Sequence, residues 1–268
     1  MKAASARARA SLPLALVRLA RMLHVTLVDL ATVLLRRARA KDNHHDLQIC
    51  QADTHHWLTR IIPRAGLRVT ISGTPPRPGA LVTPNHMGYV DIFAVGSVVP
   101  CFFVSKSDIA SWPFIGYLLR SSRHVLVTRG SSKDIQSTVD EMKTRLAAGF
   151  TLCAFLEGTS SGGGVILPFR TSLLQAAIDI NAPVVPTLIQ WYADHPGIDI
   201  TEDVAYWKDH RFGPHILRML GLSGIHARIH FGDPVLPASL DRKELGTIIE
   251  ERVRELHTEL AGAPCPAG

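Results

Sequence analysis

Residues 85–91, Asn85-His86-Met87-Gly88-Tyr89-Val90-Asp91, set a histidine and an aspartate five positions apart, just after an apolar run that ends at Pro84. The pattern predicts a strand that delivers His86 into a loop, with Asp91 in the first turn of the following helix. A carboxylate there suits the positive helix end and still reaches back to the imidazole. Such a dyad makes a base able to take a proton from an alcohol. Two more polar groups follow apolar runs: Arg129 after Val125-Leu126-Val127-Thr128, and Glu157-Gly158-Thr159 after Phe155-Leu156. Strand ends are where open α/β sheets place their sites, so three such groups in one chain carry more weight than a lone histidine and aspartate.

The elements that must position these residues are readable from periodicity. Alternation in Leu67-Arg68-Val69-Thr70-Ile71-Ser72 marks a first strand, closed by a Pro/Gly-rich turn over residues 73–79. Further apolar runs predict strands at 80–82, 101–104, 124–128, 150–156, 183–189 and 227–231. Between them, helices are expected at 92–98, to about Arg120, at 172–180 and near 206–220. Ile135, Val139, Met142 and Leu146 recur at helical spacing and predict a helix over 132–148. Leu245, Ile249, Val253 and Leu256 do the same for a closing helix. Strands alternating with helices mean an α/β sandwich.

Ahead of this lie two helical stretches. Residues 11–35 are apolar but interrupted by Arg18, Arg21, His24 and Asp29. A spanning helix would place three charges near the bilayer centre at about 2.5 to 3.5 kcal/mol each, and no small-residue cleavage site marks a signal peptide. On a helical wheel Arg18, Arg21, His24, Asp29, Thr32 and Arg36 fall on one stripe, a pattern that fits a helix lying in the lipid interface. Arg36, Arg37, Arg39 and Lys41 form a basic cluster suited to anionic headgroups. A second helix is expected over residues 42–62, ended by Pro63 and Gly66. Its histidine pairs, His44 with His45 and His55 with His56, read as surface groups, because no cysteine or carboxylate stands at a zinc spacing. No metal ligand is assigned. The chain therefore divides into residues 1–66, a membrane-associating helical segment, and residues 67–262, a catalytic domain.

Composition agrees with this division. The chain has 268 residues, 46% hydrophobic and 19% charged, with a mean hydropathy of +0.14 and a formal charge of +6. That balance attracts anionic partners. Because the positive charge gathers beside the apolar helix and no nucleic-acid motif is present, lipid is the expected partner and nucleic acid is not. The four cysteines are far apart without a Cys-x-x-Cys pair, as in reduced cytoplasmic proteins.

From residue 67 to 231 the chain resembles the glycerolipid acyltransferases, the family of 1-acylglycerol-3-phosphate acyltransferases and their relatives. The first block, Asn-His followed by Asp, stands at Asn85-His86-Met87-Gly88-Tyr89-Val90-Asp91, and the second, an apolar strand ending in arginine, at Val125-Leu126-Val127-Thr128-Arg129. Phe155-Leu156-Glu157-Gly158-Thr159 corresponds to the third block, and Pro183-Val184-Val185-Pro186 to the fourth. The resemblance implies a mixed central sheet flanked by helices and transfer of an acyl group from acyl-CoA or acyl-carrier protein to the hydroxyl of a lysolipid. His86 would be the general base and Asp91 its orienting partner, without cofactor. Asn85, Arg129, Glu157, Gly158 and Thr159 would hold the acceptor, with Arg170 and Lys106 as further anion contacts. It also implies a place at the cytoplasmic face of the cell membrane.

Three positions depart from the family pattern: Gly88 where serine is usual, Leu156 where proline is usual, and Ser160 where many members carry arginine. A missing arginine removes a bidentate phosphate clamp. Lysophosphatidate is the default acceptor. Residues 160–174, 206–209 and 212–215 resemble family members that complete amino-acid-headed lysolipids, so lyso-ornithine lipid is the alternative. Two other classes stay open: a serine hydrolase using Ser160 within Gly158-Thr159-Ser160-Ser161-Gly162, and a lipid-binding module without turnover.

Overall fold

The computed structural model describes residues 7–107, 115–127 and 132–260. Two long helices come first, α1 (Leu12–Arg37) and α2 (Asn43–Arg64), each with a side-chain N-cap, Ser11 and Asp42. The sheet follows: β1 (Leu67–Gly73), β2 (Leu81–Pro84), α3 (Tyr89–Val98), β3 (Phe102–Lys106), α4 (Ile115–Ser121), β4 (Val125–Val127), α5 (Ser132–Ala147) and β5 (Leu152–Ala154). After a long loop and a 3₁₀ turn (Thr171–Leu174) come α6 (Gln175–Asp179), β6 (Val184–Ala193), α7 (Ile200–Asp203), α8 (Phe212–Leu220), β7 (Ile225–Phe231) and α9 (Arg242–Glu259).

The seven strands lie in the order β1-β7-β6-β2-β5-β3-β4. Five of the six neighbouring pairs are parallel and one, β6 with β7, is antiparallel, so β1 and β7 run opposite to the other five strands and the sheet is mixed as expected. Strand side chains alternate between two cores, as a pleat requires. Val82, Phe103, Cys153 and Val185 face the layer of α1, α2, α3 and α8. Their neighbours Leu81, Phe102, Leu152 and Val184 face α5, α6 and α9. Both α1, through Ala15, Met22 and Val25, and α2, through Leu58, Ile61 and Ile62, are built into the first core.

Two elements differ from the periodicity. Strand β6 continues past residue 189 to Ala193, because the antiparallel ladder with β7 supplies partners as far as Ala193 opposite Ile225. The helix expected from residue 206 starts only at Phe212, since the Tyr206 N–H is spent on the Met87 carbonyl, 2.8 Å away. His55 is half-buried rather than on the surface, its Nδ1 donating to the Gly96 carbonyl at 2.8 Å.

Part of the charged stripe on α1 turns toward the protein, while Arg21, His24 and Thr32 are exposed. Arg18 donates to the carbonyls of Leu220 and Leu222, Asp29 pairs with Arg60, and Arg36 with Asp53. Leu12, Leu16, Leu23, Leu27, Leu34 and Leu35 face outward with exposures between 43 and 60%. The basic cluster is partly consumed as well: Arg37 is held by Asp46 and the Ser121 carbonyl. Among the described residues no helix is long and apolar enough to cross a membrane.

Candidate active site

Strands β2 and β5 are parallel neighbours, with Leu81 opposite Leu152 and Val82 opposite Cys153. Their C-terminal ends therefore deliver residues 85–91 and 155–159 to one rim, although some seventy positions separate them. Asn85 fastens the first of these loops. Its side chain accepts from the Ile189 N–H at 2.7 Å and donates to the Ile189 carbonyl at 3.1 Å, pinning the end of β2 to β6. Asn85 is buried, so it is a clip rather than an open contact.

Asp91 sits fully buried in the first turn of α3. Its Oδ2 accepts the Met87 and Gly88 N–H groups at 2.6 and 2.9 Å and stands 3.0 Å from His86 Nδ1. Oδ1 accepts from the Trp191 indole at 2.8 Å. A carboxylate oxygen accepts, so the contact to Asp91 calls for the proton on Nδ1, and in that tautomer of the neutral imidazole Nε2 has the lone pair. The imidazole stacks on Phe155 with ring centres 4.1 Å apart, and its side chain is 19% exposed. The ring is thus fixed on one edge and open on the other. That is the arrangement a general base needs.

Glu157 is buried beneath this loop. Oε1 accepts from the His86 N–H at 2.7 Å and Oε2 from the Leu167 N–H at 2.9 Å. Burial pushes its carboxyl up to about 7, against the pull of those two amides and of the imidazole. Both oxygens are engaged, so Glu157 braces the His86 backbone from within rather than reaching outward. Gly158 follows in the left-handed region at φ +68°, and Arg170 lies across it: a Cβ on Gly158 would come within 2.9 Å of Arg170 Nε. Arg170 and Thr159 are exposed on the rim. Lys106 ends β3 in register with Val127, the last residue of β4, so both strands finish at the same rim. Arg129 lies outside the described residues.

Ser160 does not form a hydrolase elbow. Its hydroxyl donates to the Tyr206 carbonyl at 2.6 Å, no histidine among the described residues pairs with it, and the next helical turn begins only at Thr171. Sequence reasoning missed Trp191, and it noted Tyr206 only within a stretch that resembles one branch of the family, not as a neighbour of the histidine loop. Trp191 lies on the extension of β6 that periodicity had cut short, and only the ladder with β7 reveals it. Among the described residues no group of histidine, cysteine and carboxylate side chains could hold a metal ion.

The acyltransferase family model matches residues 67–190. The chain is 31% identical over 233 residues to a lyso-ornithine lipid O-acyltransferase of Rhizobium meliloti, covering 79% of this chain and 80% of that one. This chain belongs to the acyltransferase family. A 1-acyl-sn-glycerol-3-phosphate acyltransferase of Neisseria gonorrhoeae is 35% identical to this acyltransferase, over 114 residues that cover 42% of this chain and 45% of that one. Its fold is similar to that of the 1-acyl-sn-glycerophosphate acyltransferase PlsC of Thermotoga maritima, with a TM-score of 0.66 and 21% identity over 92% of this chain and 99% of that chain. In this acyltransferase, then, the rim assembled by β2 and β5 is the place to seek acyl transfer.

Proposed function

We propose that this acyltransferase moves a fatty acyl group from a thioester, acyl-CoA or acyl-carrier protein, to the free hydroxyl of a lysolipid. The observation that carries this reading is His86, held through Nδ1 by buried Asp91 with Nε2 open at the rim. Nε2 takes the hydroxyl proton as the oxygen attacks the thioester carbonyl and the new C–O bond forms. Collapse of the tetrahedral adduct breaks the C–S bond, and the imidazolium returns the proton to the departing thiolate. Asp91 stabilises the transient imidazolium, and a base so placed contributes about 10² to 10⁴-fold. No covalent enzyme intermediate and no cofactor is needed.

Of the two acceptors, lyso-ornithine lipid is the better fit and lysophosphatidate the second. The relative acting on lyso-ornithine lipid aligns with four fifths of this chain, against less than half for the Neisseria relative. Ser160, in the place of a phosphate-clamping arginine, points the same way.

The enzyme would work from the cytoplasmic face of the cell membrane, where its thioester donors are made. The outward leucines of α1 run along a helix of 26 residues, about 39 Å, and an apolar stripe of that length is suited to the acyl boundary of a bilayer. Residues 1–66 would then be the membrane-associating segment and 67–262 the catalytic domain. Purified enzyme given labelled acyl-CoA or acyl-carrier protein with each lysolipid should label lyso-ornithine lipid fastest. Turnover of neither acceptor, or full turnover by His86→Ala, would overturn the reading.

A further inference from the structure

The charges of the two N-terminal helices meet across their packing as a ladder. Arg36 of α1 pairs with Asp53 of α2, and two helical turns further along each helix Asp29 pairs with Arg60. One more step of that length arrives beside Arg21 on α1 and Arg64 on α2, and there both members are basic. These two arginines line one open cleft of about 540 Å³ together with His24 and Ala20. Among the described residues no carboxylate pairs with Arg21, His24 or Arg64. Arg64 gives one nitrogen to the Arg60 carbonyl at 2.8 Å, while Arg21 and His24 are exposed.

Cations gathered in this way repel one another, and an anion seated between them removes the repulsion. Guanidinium forks match the oxygens of a phosphate two at a time. The other arginines of α1 are engaged elsewhere: Arg18 by the carbonyls of Leu220 and Leu222, Arg36 by Asp53, and Arg37 by Asp46 and the Ser121 carbonyl. The unmatched charge of this face therefore lies in the cleft rather than at residues 36 and 37. Ala20 adds the second half of the site. Leu16, Ala20, Leu23 and Leu27 recur at helical spacing and all four are exposed. The one small residue of that row is the one that lines the cleft, so the cleft opens onto the outward leucines. An occupant that meets both has an anionic phosphate head and a hydrocarbon tail.

We infer that the cleft of Arg21, His24 and Arg64 is a binding site for the phosphate head group of an anionic membrane phospholipid, whose acyl chains lie along Leu16, Leu23 and Leu27. None of the three basic residues belongs to the rim of His86, so the lipid held here is not the acceptor. The site makes attachment to a bilayer depend on a particular lipid charge at a particular place, not on the summed positive charge of the chain. This inference rests on the reading of residues 1–66 as the membrane-associating segment.

The test measures binding of the full chain to vesicles of phosphatidylcholine alone and of equal parts phosphatidylcholine and phosphatidylglycerol. The wild type should prefer the mixed vesicles by about thirtyfold or more. Arg21→Gln with Arg64→Gln should lower that preference by about tenfold or more, and Arg39→Gln with Lys41→Gln, which removes the same charge outside the cleft, by about threefold or less. Ala20→Trp fills the cleft without changing the charge and should lower the preference by about fivefold or more. Inorganic phosphate has the charge but no tail, and should displace the vesicles no better than sodium chloride of the same ionic strength. An equal fall in the cleft pair and in the Arg39/Lys41 pair, or a preference unmoved by Ala20→Trp, overturns the site and leaves the membrane reading standing. Displacement by phosphate beyond the salt control overturns a lipid as the occupant. Wild-type binding to both kinds of vesicle by Leu16→Glu with Leu27→Glu overturns the membrane reading and this inference together.

Discussion

The proposed catalytic rim and helix α1 treat polarity in different ways. At the rim nearly every polar group is matched: Asp91 has four donors, Glu157 two, and Asn85 one donor and one acceptor, and one imidazole edge is left open. On α1 the matching is partial: Arg18, Asp29 and Arg36 meet Leu220, Arg60 and Asp53, Arg21 and His24 are exposed, Asp29 Oδ2 is buried without a partner, and the leucines stay outside. Helix α9 shows the ordinary solution, with Leu245, Ile249 and Val253 buried. Leaving large apolar side chains in water forgoes about 1.5 to 3 kcal/mol each. In both regions the unmatched feature faces away from the protein, a single nitrogen in one and a stripe of leucines in the other. On the proposed function the difference has a reason: chemistry needs one atom in one place, whereas a lipid surface needs area and no fixed geometry.

The largest effect should come from the rim's open edge. His86→Ala should lower kcat by about 10² to 10⁴-fold with little change in melting temperature, measured by steady-state acylation and thermal unfolding. Asp91→Asn should cost a comparable factor and also stability, about 1 to 3 kcal/mol, because an amide NH₂ must then face N–H donors. Substitution of Leu16 and Leu27 by glutamate should sharpen the contrast from the other side. Binding to anionic vesicles should fall by about tenfold or more, while acylation of micellar acceptor stays within about twofold if α1 acts only through the membrane. A matching loss in micelles would break the comparison, since α1 would then be serving the rim directly.

Glu157→Gln should lower kcat by about tenfold, because one of its two backbone struts meets an NH₂ instead of an oxygen. It also has a pH signature. Burial raises the Glu157 carboxyl from its ordinary 4.5 to about 7, so the folded enzyme holds a proton there that the unfolded chain has released. Its contribution to stability is present below pH 4.5 and is lost as pH rises through about 7, by at most about 3 kcal/mol. Melting temperatures at pH 5 and pH 8 should therefore differ more in the wild type than in Glu157→Gln. The smallest effect is expected from Trp191→Phe, which keeps the packing but removes one bond to Asp91. About 1 kcal/mol, or a severalfold fall in kcat, is the expected size.

Much of this was legible along the chain, for reasons of distance. His86 and Asp91 lie within one loop and one helical turn, so spacing alone brings them together. Alternation marked β1 and continuous apolar runs marked the other strands, because the central strands are buried on both faces. Glu157 was marked as a site residue but its part was not, since its partners are main-chain amides of His86 and Leu167 that no side-chain pattern records. Ser160 was noticed as a missing arginine, yet the Tyr206 carbonyl that it bonds gave no local sign.

What the residues alone determined was the alternation of strands and helices and the histidine–aspartate pair, which follow from local periodicity and short spacing, together with the family, which follows from the resemblance of four short blocks. Only the tertiary structure decided which way α1 faces and what surrounds the dyad. Direction on a helix depends on whether Asp53, Arg60 and the carbonyl of Leu220 are there to receive its charges. The neighbours of Asp91 depend on a strand, β6, that reaches Trp191 only because β7 pairs with it in reverse.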